Sequence, residues 1–485
     1  MSAMSFASSG DARAGGAPLS LTILCVFLAL LLPAVSMLAD PMIRHDDYPA
    51  LLAQPEFFYS KTLQEGRWLN YLWHLRGVIT PAWFNFLIYN LFWAIYLGVL
   101  AHLSMGASAP IWRKLYVAII AGLAMPQILI SLWFNTLIPG LGCVAIYALL
   151  TVWLNSRQSR ALLLLFVPLT LTAYTTYPFL LLALHLLRHD VDRSWRDLFA
   201  LLGLFLVSLA LGLLMINTLN YFEHGIFGLQ MASWRNPHPA QDLASFIENL
   251  AVVRTFLDGL VVQASYGFLW AVFVQAALVL TAIYVVARKH LLQTAYPIVG
   301  LILCLSMILA QGVKEGIDLP IRSGGFVWIY YAVFLGWLAH HLQALGQGRM
   351  AHNLLFIVAA AYVAVAFFER QTTNAWPKYS RQLAEDIGTG PEPLLITGTY
   401  RSLPAAKASQ LQSHLAVKSR LELLTQRQVR LCEFDPEACS SLPGDLLAGL
   451  SPSQIGTLHA IKQHDGNLVL LLSPQELMPE KAPEN

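Results

Sequence analysis

Two adjacent carboxylates, Asp46 and Asp47, stand in the stretch MIRHDDYPALLAQPEFFYSKTLQEGRW, residues 42–68, directly after an apolar run. A carboxylate at a membrane surface can take a proton from an attacking hydroxyl, while a second orients that hydroxyl or holds a metal. Two like charges so close also raise one pKa and make that group a better base. The plainer reading is a pair of solvated loop carboxylates beside a helix end. Their place after a spanning run, in a connection too long for a turn, favours chemistry. A divalent metal is compatible with the pair, although the sequence does not require one.

Cations follow. Arg322 lies in EGIDLPIRSGGFVWIYY, at the mouth of an apolar run and beside Gly324 and Gly325. A guanidinium there can bind a lipid-linked phosphate through paired hydrogen bonds; the alternative is an interfacial arginine that snorkels to the headgroups. Arg67, followed by Trp68, offers a second cation at the same depth, and Lys314 and Glu315 lie close to Arg322 in sequence.

The stretch EHGIFGLQMASWRNPH, residues 223–238, brings Glu223, His224, Trp234, Arg235 and His238 into one segment. Aromatic faces and polar forks suit sugar or acceptor recognition, whereas an ordinary surface loop has the same composition. The spacing matches no H-E-x-x-H zinc motif. Tyr174 and Tyr177, in AYTTYP, read as residues of a helix break, with pocket lining as the alternative. The chain has no Walker A sequence, no G-x-G-x-x-G after a strand and no G-x-S-x-G. It also offers no domain on the basic-loop side for a soluble nucleotide-sugar donor.

These residues need elements to hold them, and composition says which. The chain of 485 residues is 56% hydrophobic and only 12% charged, with mean hydropathy +0.57. Soluble domains carry about 25% charged residues, so lipid is the solvent of much of this chain. The net charge of +2 and the lack of a basic tract interleaved with aromatics give no sign of nucleic-acid binding.

A spanning helix needs roughly 20 mostly apolar residues. About eleven such runs are expected, over 19–38, 83–103, 115–134, 136–154, 161–173, 176–188, 198–219, 263–287, 291–311, 324–345 and 352–368. The fifth and sixth are short, and are either half-helices or one helix kinked near Pro178. The first run is longer than a signal-peptide core. A retained first helix is therefore the reading taken, although PAVSMLAD resembles a cleavage site.

Positive residues mark cytoplasmic loops. Arg113 and Lys114, Arg157 and Arg160, Arg188, Arg193 and Arg196, and Arg288 and Lys289 all fall on one side, with Arg13. That puts the N-terminus in the cytoplasm. The Asp46/Asp47 loop (40–82), the loop at 220–262, the 312–323 loop and residues 369–485 then lie outside. Within 40–82, Phe57, Phe58, Leu63, Trp68, Leu69, Leu72 and Trp73 recur at roughly helical spacing among charges. They predict one or two helices in the membrane interface, or an ordinary amphipathic connector.

Beyond residue 368 the composition becomes that of a small α/β domain. EPLLITGTY and NLVLLLSP read as strands, and AAKASQLQSHLAVKSRLELL as a helix. Cys25, Cys143 and Cys304 fall in apolar runs and read as packing residues. Cys432 and Cys439, in CEFDPEAC, lie in the outer domain. An oxidising compartment and a proline-containing turn allow a disulfide; two free thiols are the alternative. Zinc is disfavoured because no companion pair completes a tetrahedral site.

An N-terminal span, an acidic pair in a long outer loop, interfacial helices, many spans and a C-terminal outer domain together resemble GT-C glycosyltransferases. HDDY…EGRWLNYL, followed by MPQIL, AYTTYP and LPIRS, is similar to the bacterial O-antigen glucosyltransferases of the Gtr II type. The resemblance covers residues 19–368, and its value lies in the order of short motifs. It departs at Tyr48-Pro49, where a more polar continuation toward an arginine is expected.

What the resemblance implies is a GT-C-like catalytic domain over 1–368, with an extracytoplasmic domain over 369–485, in a bacterial inner membrane. The implied reaction is a single inverting displacement. It moves a sugar, glucose favoured, from a polyprenyl-phosphate donor to a surface glycan such as lipopolysaccharide O-antigen. Asp46 and Asp47 would be catalytic, Arg322 and Arg67 would face the donor phosphate, and a donor synthase and a flippase would be partners. A transporter or flippase for a lipid-linked sugar is the rival reading. It calls for inverted repeats and mid-span charges, and the sequence displays neither plainly. A non-enzymatic scaffold, the third class, has no need of the acidic pair.

Overall fold

The computed structural model describes residues 18–189, 193–232, 235–262, 265, 268–443 and 459–472. Its described part is mostly helical. Eight helical stretches are long and apolar enough to cross a membrane: Leu19–Met37, Ala82–Met105, Met125–Trp153, Trp195–His224, Leu269–Lys289, Leu291–Glu315, Ile321–Ala344 and Gly348–Ile387. The three other expected spans are occupied by shorter helices, Ile111–Gly122, Leu163–Leu171 and Tyr177–Leu186.

The expected run at 115–134 breaks where Leu123 leaves helical geometry and Pro126 opens the next helix. The proline has no amide hydrogen to continue the ladder from the preceding helix, and none is needed in the first turn of a new one. Pro178 begins the helix Tyr177–Leu186 rather than kinking a longer one. The two flanking pieces are therefore separate half-length helices.

The helices alternate direction, so their ends fall on two faces. One face gathers the 38–82 connection, the start of Phe134–Trp153 and the ends near 224, 315 and 373. Backbone bonds from Leu69 to Thr172 (3.1 Å) and from His238 to Glu315 (3.0 Å) tie it together. The other face holds the ends near 105, 111, 186, 289 and 344, joined in part by the His189 amide on Leu103 oxygen, 2.9 Å. Every described member of the basic clusters lies on this second face.

The 40–82 connection forms a short 3-10 turn, His45–Ala50, and two short helices, Pro55–Glu65 and Trp68–His74. Gly66, at φ 69°, closes the first in the left-handed conformation. A side chain there would also meet Ile216 at 3.0 Å. Phe58 is buried and stacks on His74 at 3.9 Å. Leu72, Trp73, Leu75, Val78, Ile79, Trp83 and Phe84 are exposed, an apolar and aromatic rim that suits the headgroup boundary.

The C-terminal unit contains a four-stranded sheet: β1 (Leu394–Thr397), β2 (Val429–Leu431), β3 (His459–His464) and β4 (Asn467–Leu472), in the order β2-β1-β4-β3. β1 runs parallel to β2 and β4, and β3 pairs antiparallel to β4. The single helix expected over 405–424 is two, Pro404–Ala408 and His414–Thr425. The break has a physical cause. Ser409 bonds Trp376 N and Thr373 O, Gln410 takes φ 50°, and the carbonyls of Ser409 and Gln410 both accept from Arg44. The second expected strand is β4, with its last two residues outside the described part. Cys432 and Cys439 are joined in a disulfide, with Cα atoms 5.5 Å apart.

Candidate functional site

The turn His45–Ala50 sends its two carboxylates in different directions. Asp47 is fully buried. Its Oδ2 accepts the Asn135 amide at 2.8 Å and its Oδ1 the Thr136 amide at 2.7 Å. These amides open the helix Phe134–Trp153, where N–H groups lack partners within the helix and the dipole favours negative charge. Burial pushes the Asp47 carboxyl up to about 7, against the downward pull of its bonds to Thr136 and Asn135. Asp47 thus fastens the 40–50 segment to a spanning helix.

Asp46 faces a cationic surround. Its Oδ1 lies 2.9 Å from His45 Nε2 and its Oδ2 3.5 Å from Lys61 Nζ. Burial alone would raise its carboxyl. The His45 hydrogen bond and the charges of Lys61 and Arg67 outweigh that and hold it well below the usual carboxylate range. The expectation that mutual repulsion of the two aspartates makes one a stronger base is therefore corrected: burial sets Asp47, and cations set Asp46.

Lys61 also contacts Glu65, at 3.1 Å, one helical turn on. Glu65 is paired with Arg67 at 2.5 Å and with Arg235 at 3.5 Å. Burial opposes ionisation of Glu65, but Arg67, Lys61 and Arg235 lower it to about 2. The result is an alternating series, Asp46–Lys61–Glu65–Arg67/Arg235, built from the 40–82 connection and the distant 235 segment. His224 joins through Thr62, its Nε2 2.7 Å from Thr62 Oγ1, and its ring packs on Tyr59 and Trp68. Trp68 Nε1 donates to Asn220 at 2.8 Å.

Of the residues predicted for sugar or acceptor binding, His224 and Arg235 therefore sit in this network. Glu223 is exposed at the end of its helix, His238 is exposed and bonded to Asn236 O, and Trp234 lies outside the described residues. Lys314 and Glu315 pair with each other at 2.7 Å.

Arg322 is held elsewhere on the same face. Its guanidinium lies over Trp133, 4.3 Å from the ring centroid, and Arg44 approaches the same ring at 5.6 Å. Burial and the Arg322 charge both disfavour the charged form of Arg44. Arg44 donates to the carbonyls of Ser409 and Gln410, while its Nε is buried without a partner. Arg370 lies over Phe86, 5.5 Å from the ring centroid, and donates to Ser131 Oγ at 2.7 Å; its Nη1 is also buried and unpartnered.

Arg322, Gln127, Trp93, Thr176 and Tyr177 line a small cleft. Gln127 Nε2 donates to Gly325 O at 2.7 Å, which fixes the turn that carries Arg322. Arg67 lies over Tyr174 at 5.6 Å, and Tyr174 packs on Tyr177 at 5.3 Å. These two tyrosines connect the charged series to the cleft.

Sequence reasoning missed Arg44, His45, Lys61, Glu65, Gln127, Trp133 and Arg370. Lys61 and Glu65 carried a signal, since opposite charges four apart on a helix pair. Among the described residues no group of three or more His, Cys, Asp or Glu gathers in the manner of a metal site. No family model, curated protein or solved structure matches the chain.

Proposed function

We propose that the chain is a GT-C-like glycosyltransferase that moves a sugar, glucose favoured, from a polyprenyl-phosphate donor to a surface glycan such as O-antigen. The reaction takes place on the outer face of a bacterial inner membrane. One observation carries the reading. A single short segment, residues 44–46, supplies both an ionised carboxylate and one of two guanidiniums that share the Trp133 ring. Inverting transfer from a lipid phosphate calls for that pairing of anion and cations.

In the step, the acceptor hydroxyl oxygen forms a bond to the anomeric carbon while the bond from that carbon to the phosphate oxygen breaks. The bonding pair leaves with the phosphate, where Arg322 and Arg44 offset the growing negative charge. The hydroxyl proton passes to Asp46. Asp46 is ionised over the working pH range, so it is always in the accepting form. Its low basicity calls for late transfer, as the oxocarbenium-like centre acidifies the incoming hydroxyl. Lys61 and Glu65 hold Asp46 in place, and His224 and Arg235 border the acceptor side.

The test is transfer by purified protein from a synthetic polyprenyl-phosphate sugar to isolated glycan, with mass analysis of surface glycans in cells with and without the gene. An added hexose that needs both the protein and Asp46 supports the reading. Unchanged glycans, with protein-dependent movement of the lipid-linked sugar across vesicles, would favour a transporter instead.

A further inference from the structure

The opposite face holds a second group of cations, which the proposed reaction does not use. It lies where the helices Ala82–Met105, Ile111–Gly122 and Gly325–Ala344 end or begin. Arg113 and Lys114 are buried there, at 3% and 0% exposure. Arg113 Nη1 lies 2.8 Å from His340 Nδ1, and Nη2 donates to Gln343 Oε1. Arg113 Nε is buried with no acceptor. Lys114 Nζ donates to Ala107 O at 2.8 Å and stands 3.5 Å from His102 Nδ1. The His189 ring meets His340 edge-on at 6.0 Å, and Lys289 lies within electrostatic reach of His340.

Among the described residues, no carboxylate pairs with Arg113 or Lys114, whose contacts are imidazole nitrogens, an amide oxygen and a backbone carbonyl. Arg160, on the same face, differs: it holds Asp197 through both ends of its guanidinium. A desolvated cation without a countercharge is costly, and neutral acceptors offset only part of that. Arg113 donates to His340 Nδ1, so the imidazole carries its proton on Nε2 and has a further donor to offer. Cations, a spare guanidinium N–H and an imidazole N–H form a receptor for a phosphate group. Basic groups gathered between the ends of membrane helices are a recurrent kind of headgroup site.

We propose that Arg113 and the exposed His340, with the buried Lys114 charge behind them, bind the phosphate of an anionic phospholipid in the leaflet opposite Asp46. The site is independent of the sugar-transfer reading. A free phosphate ion has the same recognition chemistry, so the experiment has two arms. Full-length protein in neutral detergent is titrated with short-chain phosphatidylglycerol, phosphatidylcholine or inorganic phosphate, with native mass spectrometry and thermal unfolding as readouts.

Phosphatidylglycerol should be retained as a bound copy and raise the unfolding midpoint. Phosphatidylcholine, whose ammonium meets the cluster's own charge, should bind at least about tenfold more weakly. Arg113→Gln should weaken phosphatidylglycerol binding about tenfold, and Arg288→Gln, at an exposed helix end, should leave it unchanged. If Arg113→Gln does not fold, His340→Ala, which removes the imidazole donor, should weaken binding severalfold. Saturable stabilisation by inorganic phosphate with no retained lipid would assign the site to a soluble anion. Equal binding of the two lipids without a phosphate effect, or wild-type affinity in Arg113→Gln, would overturn the proposal.

Discussion

Arg420 holds Asp40 through both ends of its guanidinium, at 2.8 and 2.5 Å. Asp40 lies at the start of the connection out of the first span, and Arg420 lies in the C-terminal unit, so the pair clamps that unit to the segment that carries Asp46. Arg420 is almost fully buried, whereas Asp40 keeps some contact with solvent. Breaking a buried pair costs roughly 3–5 kcal/mol, and the partial exposure puts this one at the lower end. Arg420→Ala should lower the thermal midpoint and the transfer rate together. Arg420→Lys should recover part of both, because charge returns without the planar fork. Wild-type stability in Arg420→Ala would show that the clamp is dispensable.

Asp46→Asn should leave expression, membrane insertion and melting near wild type and cut sugar transfer about a hundredfold, the scale of general-base loss. Asp47→Asn should do the reverse first, because an amide presents one acceptor to two backbone donors that now have a carboxylate oxygen each. Its activity loss should follow its loss of folded protein. Size-exclusion profiles and transfer per folded molecule separate the two effects. Equal specific activity in Asp46→Asn and wild type would remove Asp46 from the chemistry.

Much of the framework was legible in the sequence. The apolar spanning helices, the helices within the long 40–82 connection and the small C-terminal sheet all follow from composition and periodicity. The length of the spans was less so, because Pro126 and Pro178 start helices and the sequence does not say whether a proline starts or kinks one. The acidic pair was visible, but its division of labour was not, since it depends on two amides near residue 135 that carry no side-chain signature. The Arg44–Trp133–Arg322 group joins three distant segments and leaves no spacing to read. Lys61 and Glu65 were legible as an opposite-charge pair four residues apart on one helix.

Asp47 and the cation-bound carboxylates should give stability opposite pH dependences. Asp40, Asp46 and Glu65 have folded pKa values below their unfolded ones. Their stabilisation is present above about pH 4 and lost as pH falls toward the folded values, about 2 for Glu65. Asp47 is raised to about 7. Its contribution is therefore full below about pH 4 and lost as pH rises through 7. The melting advantage of wild type over Asp47→Asn should be larger at pH 5 than at pH 8, as differential scanning of both proteins at each pH will measure. A larger advantage at pH 8 would mean that the two amide bonds outweigh burial.

Arg322 and Arg44 sit over one indole, at 4.3 and 5.6 Å. Two like charges so near repel, and the ring offsets only part of that. The donor's phosphodiester carries one negative charge and gains a second as the sugar leaves, so a phosphate beside both guanidiniums would relieve the repulsion and gain charge-assisted hydrogen bonds. Such bonds contribute about 1.5–3 kcal/mol each, so Arg322→Ala should lower kcat/KM for the lipid-phosphate donor roughly tenfold to a hundredfold. Arg322→Lys should fall between the two, since a point charge replaces a fork. Arg44→Ala removes a cation and also the bonds to Ser409 and Gln410. It should therefore loosen the C-terminal unit as well, with a lower melting point that Arg322→Ala does not share. Trp133→Leu, which removes the shared surface and leaves both charges, should raise KM for the donor more than it lowers kcat. Steady-state kinetics with varied donor at saturating acceptor distinguish these outcomes. A full complement of donor binding in the Arg322→Ala, Arg44→Ala double variant would place the phosphate elsewhere.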